Sequence, residues 1–259
     1  METRGGAGAR NIPVTIMNVD EMPLFKMFSG VAFRCGSGMV RYDRDQVQSF
    51  TLSRFLPPEI MSFSGRALVI DPDVLALGDV AELLSLDLEG NAIAACRRDM
   101  GWETSVMLLD CTRLTHWRIE DILAGLEDLR LDYLDLLWLR SESNVLDLPG
   151  IWNSLDKVGP GVRMLHMTRV DTQPWKTGLA IGSTLPKPAP LFGFMPRAVA
   201  RRLLGKPEPR YKPHPDSEVE RTFMAIFKEA MDAGAVPESE VEDAIASKHI
   251  RADIWEHIA

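Results

Sequence analysis

Four short apolar runs set the tightest limit on what this chain can fold into: "RALVI" (66–70), "NAIAAC", "SVMLLDC" and "RMLHMT" (163–168). Each has the length of a strand. Each is apolar at successive positions, not alternate ones, which is the pattern of a strand covered on both faces. Between them lie segments with helical spacing: "DVAELLSL" (79–86), where Asp79 suits an N-cap, then "RIEDILAGLEDL" and "DYLDLLWLR". Strands alternating with helices predict an α/β domain with a largely parallel sheet. Ligands of such sheets bind beyond the carboxyl ends of strands. Asp71 and Asp73 follow one run and His166 lies near the end of another, so the three can converge there.

The remaining segments read less sharply. "IPVTIMNV" (12–19) is read as a strand and "FRCGSGMVRYDRDQVQ" as a loop. "SFTLSRFLPPEI" (49–60) reads as a short helix ending at Pro57-Pro58, because a residue before proline avoids helical geometry. Residues 1–11 are rich in Gly, Ala and Arg and are expected to be disordered. A Pro-rich break, "STLPKPAPLFGFMP" (183–196), precedes a basic stretch and two acidic amphipathic helical segments. The expected organisation is a domain over 12–182 and a Pro-rich, basic, then helical extension over 183–259.

Charge and composition exclude several classes. A net charge of −8 argues against general nucleic-acid binding, which leaves a basic footprint. Cys35, Cys96 and Cys111 have no CxxC spacing, so they read as free, mostly buried thiols of a reducing compartment and not as a zinc site or disulfide framework. No apolar window is long enough to span a bilayer, and "METRGGAGARN" lacks the apolar core of a secretory signal. The expected location is cytoplasmic. The basic stretch 195–213 is either a solvated face or a peripheral contact with the inner face of a membrane.

Asp71-Pro72-Asp73 supports two readings. Asp-Pro-Asp is good turn chemistry at a strand end. It is also a stiff pair of carboxylates: Pro72 fixes its own φ and biases Asp71 to an extended shape, in which i and i+2 share a face. Hard divalent ions take such oxygens together with substrate phosphates, and an imidazole from His166 shifts preference from Mg²⁺ toward Mn²⁺.

The wider pattern resembles family 8 glycosyltransferases. In "FTLSRFLPPEIMSFSGRALVIDPDVLALGDVAELLSLDL" (50–88) it consists of Arg54, Pro57, an apolar strand, Asp71-Pro72-Asp73, and then Gly78-Asp79 before a helix. "WETSVMLLDCTRL" (102–114), "LPGIWNSLD" (148–156) and "MLHMTRVDTQPW" (164–175) follow in the family's order, the last with its His before Pro-Trp. The resemblance implies a GT-A-like fold with a Rossmann-like central sheet and a nucleotide-sugar donor, with UDP as the expected carrier. It further implies transfer to a glycan, lipid-linked or small-molecule acceptor with retention of configuration. Carried over by position, Asp71, Asp73 and His166 would bind Mn²⁺ or Mg²⁺, and Arg54 would approach the donor sugar or phosphates.

The chain also departs from that family. Gln173 stands where a Lys precedes Pro-Trp, leaving Lys176 as the nearby cation for a phosphate. Glu103 and Ser105 stand where Asn and Gly are common, and the family's Asp-Gln pair has no clean match; Asp132 and Asp135 read as acids on an exposed helix. No catalytic residue is assigned. The family's opening strand–helix unit is expected to be missing, since "IPVTIMNV" resembles its second strand. The alternatives are an inactive, truncated GT-A-like binding or scaffold protein and, with poorer support from "GGAG", a nucleotidyltransferase.

Overall fold

The computed structural model describes residues 12–43, 49–181 and 208–258. The 1–11 segment, the boundary expected near 183 and positions 195–207 of the basic stretch lie outside the described residues. The chain divides into two compact units. The larger holds everything described before Leu155 together with Gly161–Leu165; the smaller holds Leu155–Pro160 and everything described from His166 onward.

The strands are β1 (Ala32–Cys35), β2 (Gly38–Arg41), β3 (Arg66–Ile70), β4 (Val74–Ala76), β5 (Ile93–Arg98), β6 (Gly101–Asp110), β7 (Val145–Asp147), β8 (Ser154–Leu155) and β9 (Met164–His166). The helices of the larger unit are α1 (Pro23–Phe28), α2 (Pro57–Ile60), α3 (Val80–Leu84), α4 (Ile119–Glu127) and α5 (Tyr133–Leu137). The class is α/β, as the alternation of runs predicts.

The central sheet has the order β3-β6-β5-β7, and its apolar runs are covered on both faces. Val69, Ile93, Ala95, Met107 and Leu109 pack with Phe25, Phe55, Trp117 and Leu126 on one side. Ala94, Cys96, Val106 and Leu108 pack with Val74, Leu83, Trp152 and Met164 on the other. Alternate residues of one strand therefore enter different cores, each large side chain contributing about 1.5–3 kcal/mol of burial.

Strand pairing departs from the mostly parallel expectation. β5 pairs β7 in parallel, but β6 pairs both β5 and β3 antiparallel. β5 and β6 are joined through Asp99-Met100 alone, and a two-residue connection can only make a hairpin. β3, β5 and β7 do run in one direction, as strands linked by crossovers should. β6 is inserted between β3 and β5 and reverses their pairing. Gly101 starts β6 at φ +144°, where a Cβ would lie 2.4 Å from the Trp138 carbonyl oxygen.

Three local expectations are corrected. Residues 12–18 form no strand; they have no regular structure, and Ile16 is 91% exposed. Pro13 supplies no N–H, and among the described residues no named strand lies alongside to pair with this run. The Gly-rich stretch read as a loop is the β1–β2 hairpin, whose tight turn uses Gly36 at φ +62°. Pro57-Pro58 begins α2 where the sequence suggested a helix end, because proline at the first helical turn forfeits no intrahelical bond.

The smaller unit contains α6 (Ser217–Asp232), capped by Asp216, then α7 (Glu238–Ala246) and α8 (Ile254–Ile258). Met224, Val241, Ile254 and Ile258 form its core. Arg251, 8% exposed, reaches Glu220 at 3.0 Å and Asp253 at 2.6 Å. Among the described residues, no helix is long and apolar enough to cross a membrane. Cys35, Cys96 and Cys111 are free, the last two buried.

Candidate metal centre

The centre is built at the carboxyl end of β3. The Asp71 N–H donates to the Ser105 carbonyl at 2.9 Å, extending the β3–β6 ladder by one residue. The Asp71 carbonyl accepts from Val74 N–H at 3.1 Å and closes a turn with Pro72 and Asp73 at its centre. The turn reading of Asp-Pro-Asp is thus what the backbone shows. The pair is presented by a proline turn and not by the extended segment expected from its spacing.

β4 starts at Val74 and lies beside β9 in a second sheet, order β4-β9-β8. Leu77 N–H and Gly78 N–H both donate to the Arg163 carbonyl, just before β9. Gly78 makes a close approach: a Cβ there would lie 2.6 Å from Arg163 Cδ, so the Arg163 side chain, which pairs with Glu82 at 2.9 Å, would have to shift. Strand β9 ends at His166.

These neighbouring strand ends bring together Asp71, Asp73 and His166. Each offers one ligand atom, and those atoms lie within 4.8 Å of one another. Asp71 and His166 are each 6% exposed and Asp73 is half-buried. Oxygens about 2.2 Å from one ion stand roughly 3–4.4 Å apart, so the cluster needs to contract by only tenths of an ångström. Two carboxylates and an imidazole form a donor set suited to Mn²⁺ or Mg²⁺, and three protein donors leave coordination positions that water and phosphate oxygens take. The His166 carbonyl is fixed by Asp156 N–H at 2.9 Å, and the Asp156 carboxylate accepts from Thr168 Oγ1.

Arg54 is placed against this cluster. Its Nε donates to Asp71 Oδ1 at 2.9 Å, Nη2 to Oδ2 at 2.5 Å, and Nη1 to Thr104 Oγ1 at 2.7 Å. The guanidinium is therefore engaged within the protein. A buried polar floor continues along β6. Thr104 Oγ1 donates to the Leu137 carbonyl at 3.1 Å, and Ser105 Oγ accepts from Asn153 Nδ2 at 2.9 Å. Glu103 pairs with Arg98 at 3.1 Å, and Arg98 also reaches the Asn153 carbonyl. Glu103 and Ser105, departures from the family pattern, thus have structural partners. Sequence reading missed Thr104 and Asn153. The signal for Thr104 was a polar pair, Thr104-Ser105, set just before the apolar run Val106–Leu109 of β6.

The other candidates have separate settings. Asp132 caps α5 through Leu134 N–H at 2.8 Å and also binds Gly36 N–H, while Asp135 pairs with Arg140 at 3.0 Å. Gln173 and Lys176 belong to the smaller unit. Gln173 is 6% exposed, and its Oε1 is buried with no hydrogen-bond partner. Lys176 Nζ sits 5.6 Å from the centroid of the Tyr211 ring.

No protein-family model matches the chain. No curated protein matches it either. Among solved structures, it aligns with the glycosyltransferase GlyE of Streptococcus pneumoniae TIGR4 over 48% of this chain and 38% of that one, at 21% identity and a TM-score of 0.39. The galactosyltransferase LgtC, crystallised with donor and acceptor sugar analogues, aligns over 67% of this chain and 72% of that one, at 16% identity and a TM-score of 0.43. Mouse xyloside xylosyltransferase 1 aligns over 58% and 72%, at 16% identity and a TM-score of 0.37. The chain spans about two fifths of the length of GlyE. At this degree of overlap the likeness assigns neither a family nor an activity.

Proposed function

We propose that this protein is a metal-dependent glycosyltransferase of the GT-A, family 8 type. It would move a hexosyl group from a nucleoside-diphosphate sugar, with UDP as carrier, to a glycan, lipid-linked or small-molecule acceptor, with retention of configuration. One observation carries the reading: Asp71, Asp73 and His166 converge within 4.8 Å just past a covered strand. Asp71, Asp73 and His166 would hold Mn²⁺ or Mg²⁺, and the ion would neutralise the charge that develops on a departing diphosphate. The chain's own part is to pre-arrange the ligands. The β3–β4 turn fixes the two carboxylates, and the bond from Asp156 fixes the backbone of His166. Gln173 would give the diphosphate an uncharged contact through its amide N–H groups, and Lys176 would give the cationic one.

The test is a thermal-shift panel of nucleoside diphosphates with and without Mn²⁺. Stabilisation by at least one diphosphate that needs Mn²⁺, and its loss in Asp73→Ala, is the expected result. Stabilisation by none, or binding unchanged in Asp73→Ala, overturns the assignment. The engagement of Arg54 with Asp71 favours one alternative, a GT-A-like domain that binds donor without turning it over. Donor-sugar hydrolysis measured beside binding separates the two.

A further inference from the structure

We infer that Arg54 gates the metal centre: it occupies Asp71 as a resident counter-cation, so that a divalent ion binds tightly only together with a diphosphate. This rests on the metal-centre reading above and adds to it the order in which the site fills.

The observation is the completeness of the pairing. All three guanidinium nitrogens are used, two on the oxygens of Asp71 and one on Thr104. Arg54 is 13% exposed on its side chain and Asp71 is 6% exposed, so water and salt screen the pair weakly. The ring of Phe50 lies 5.7 Å from the guanidinium carbon. A fork of this kind takes the facing lone pair of each carboxylate oxygen. A chelating ion would use that same edge. While the fork is in place, an incoming ion can take only an outer lone pair of Asp71, and it does so beside a fixed positive charge.

The charge balance points the same way. Arg54 cancels the charge of Asp71, so the carboxylate charge that Asp71 and Asp73 together offer a doubly charged ion is reduced. A diphosphate reverses this. It supplies negative charge to the ion, and it offers the guanidinium a second planar, bidentate partner of the kind arginine prefers. Ion and diphosphate then bind with positive coupling. The coupling is reciprocal, so each tightens the other by the same factor.

The experiment measures free Mn²⁺ by electron paramagnetic resonance on the full chain, with inorganic pyrophosphate and then UDP as the anion. Wild type, Arg54→Gln and Arg54→Lys are compared after circular dichroism establishes that each is folded. In wild type, pyrophosphate is expected to tighten Mn²⁺ binding about tenfold or more, within the usual range of coupling between sites. In Arg54→Gln, Mn²⁺ alone binds about tenfold tighter than in wild type and the pyrophosphate effect falls toward unity. Arg54→Lys keeps the charge and behaves as wild type, an outcome that loss of packing alone would not produce. A folded Arg54→Gln that binds bare Mn²⁺ no tighter, or that keeps the full coupling, overturns the inference. If that variant does not fold, the wild-type arm decides: no tightening by pyrophosphate or UDP overturns it. If Mn²⁺ binds nowhere, with or without anion, the metal-centre reading itself fails.

Discussion

Replacing Thr104 by valine tests the buried polar floor beneath the candidate metal centre. Thr104 is 1% exposed. Its hydroxyl accepts from Arg54 Nη1 at 2.7 Å and donates to the Leu137 carbonyl at 3.1 Å. Valine has nearly the same shape, so no cavity opens, but a guanidinium N–H and a carbonyl oxygen lose their partner where water does not reach. A bond to a charged group contributes about 1.5–3 kcal/mol and a neutral one about 0.5–1.5 kcal/mol. The expected loss is about 2–4 kcal/mol. Thr104→Ser keeps both bonds and loses only a buried methyl group, about 1 kcal/mol. Urea unfolding followed by tryptophan fluorescence reads both variants, with wild type as reference. A loss below about 1 kcal/mol for Thr104→Val, or a serine variant less stable than the valine variant, refutes the account.

Two further outcomes follow from the same structure. Gly101→Ala forces a Cβ to within 2.4 Å of the Trp138 carbonyl oxygen at φ +144°, so it should cost more than about 2 kcal/mol; an unchanged urea midpoint contradicts this. Asp253 has its carboxyl pKa lowered from 3.8 to about 2, chiefly by the Arg251 hydrogen bond. A folded carboxyl more acidic than its unfolded form stabilises above about pH 4 and loses that contribution as the pH falls toward 2. With the side chain 46% exposed, solvent screening reduces the effect to about 1 kcal/mol. The stability gap between wild type and Asp253→Asn should therefore be full at about pH 5, mostly lost by about pH 2 and closed below it, and a gap independent of pH sinks the assignment.

The apolar runs announced β3, β5, β6 and β9 because burial on both faces leaves a continuous apolar signature. The Asp79 cap was equally legible: its side chain accepts from Ala81 N–H at 2.9 Å. What the runs cannot carry is direction. Parallel and antiparallel neighbours buried on both faces have the same composition, so the reversal of β6 had to be read from the two residues before it. "IPVTIMNV" fails as a strand for a related reason, since an apolar alternation says nothing of whether a neighbour exists. In the candidate centre, the three ligands could be named because the family resemblance carries them over by position; their residue types alone suit a turn and a buried histidine as well. The pairing of Arg54 with Asp71 could not, because Arg54 lies 17 residues earlier, before α2, and no spacing announces that it meets the residue that the β3–β6 register sets beside Ser105.

That register gives β6 an unusual intolerance to changes in length. Its successive residues enter opposite cores, so deleting one residue would turn the apolar set of one core into the other and reverse every assignment beyond it. The same deletion would slide the Ser105 carbonyl and the Thr104 hydroxyl by one strand step, about 3.3 Å, away from Asp71 and Arg54. An insertion in the surface connections of α4 or α5 asks for no such shift. Indel tolerance is therefore lowest where the polar floor of the centre and the spine of both cores are the same ten residues.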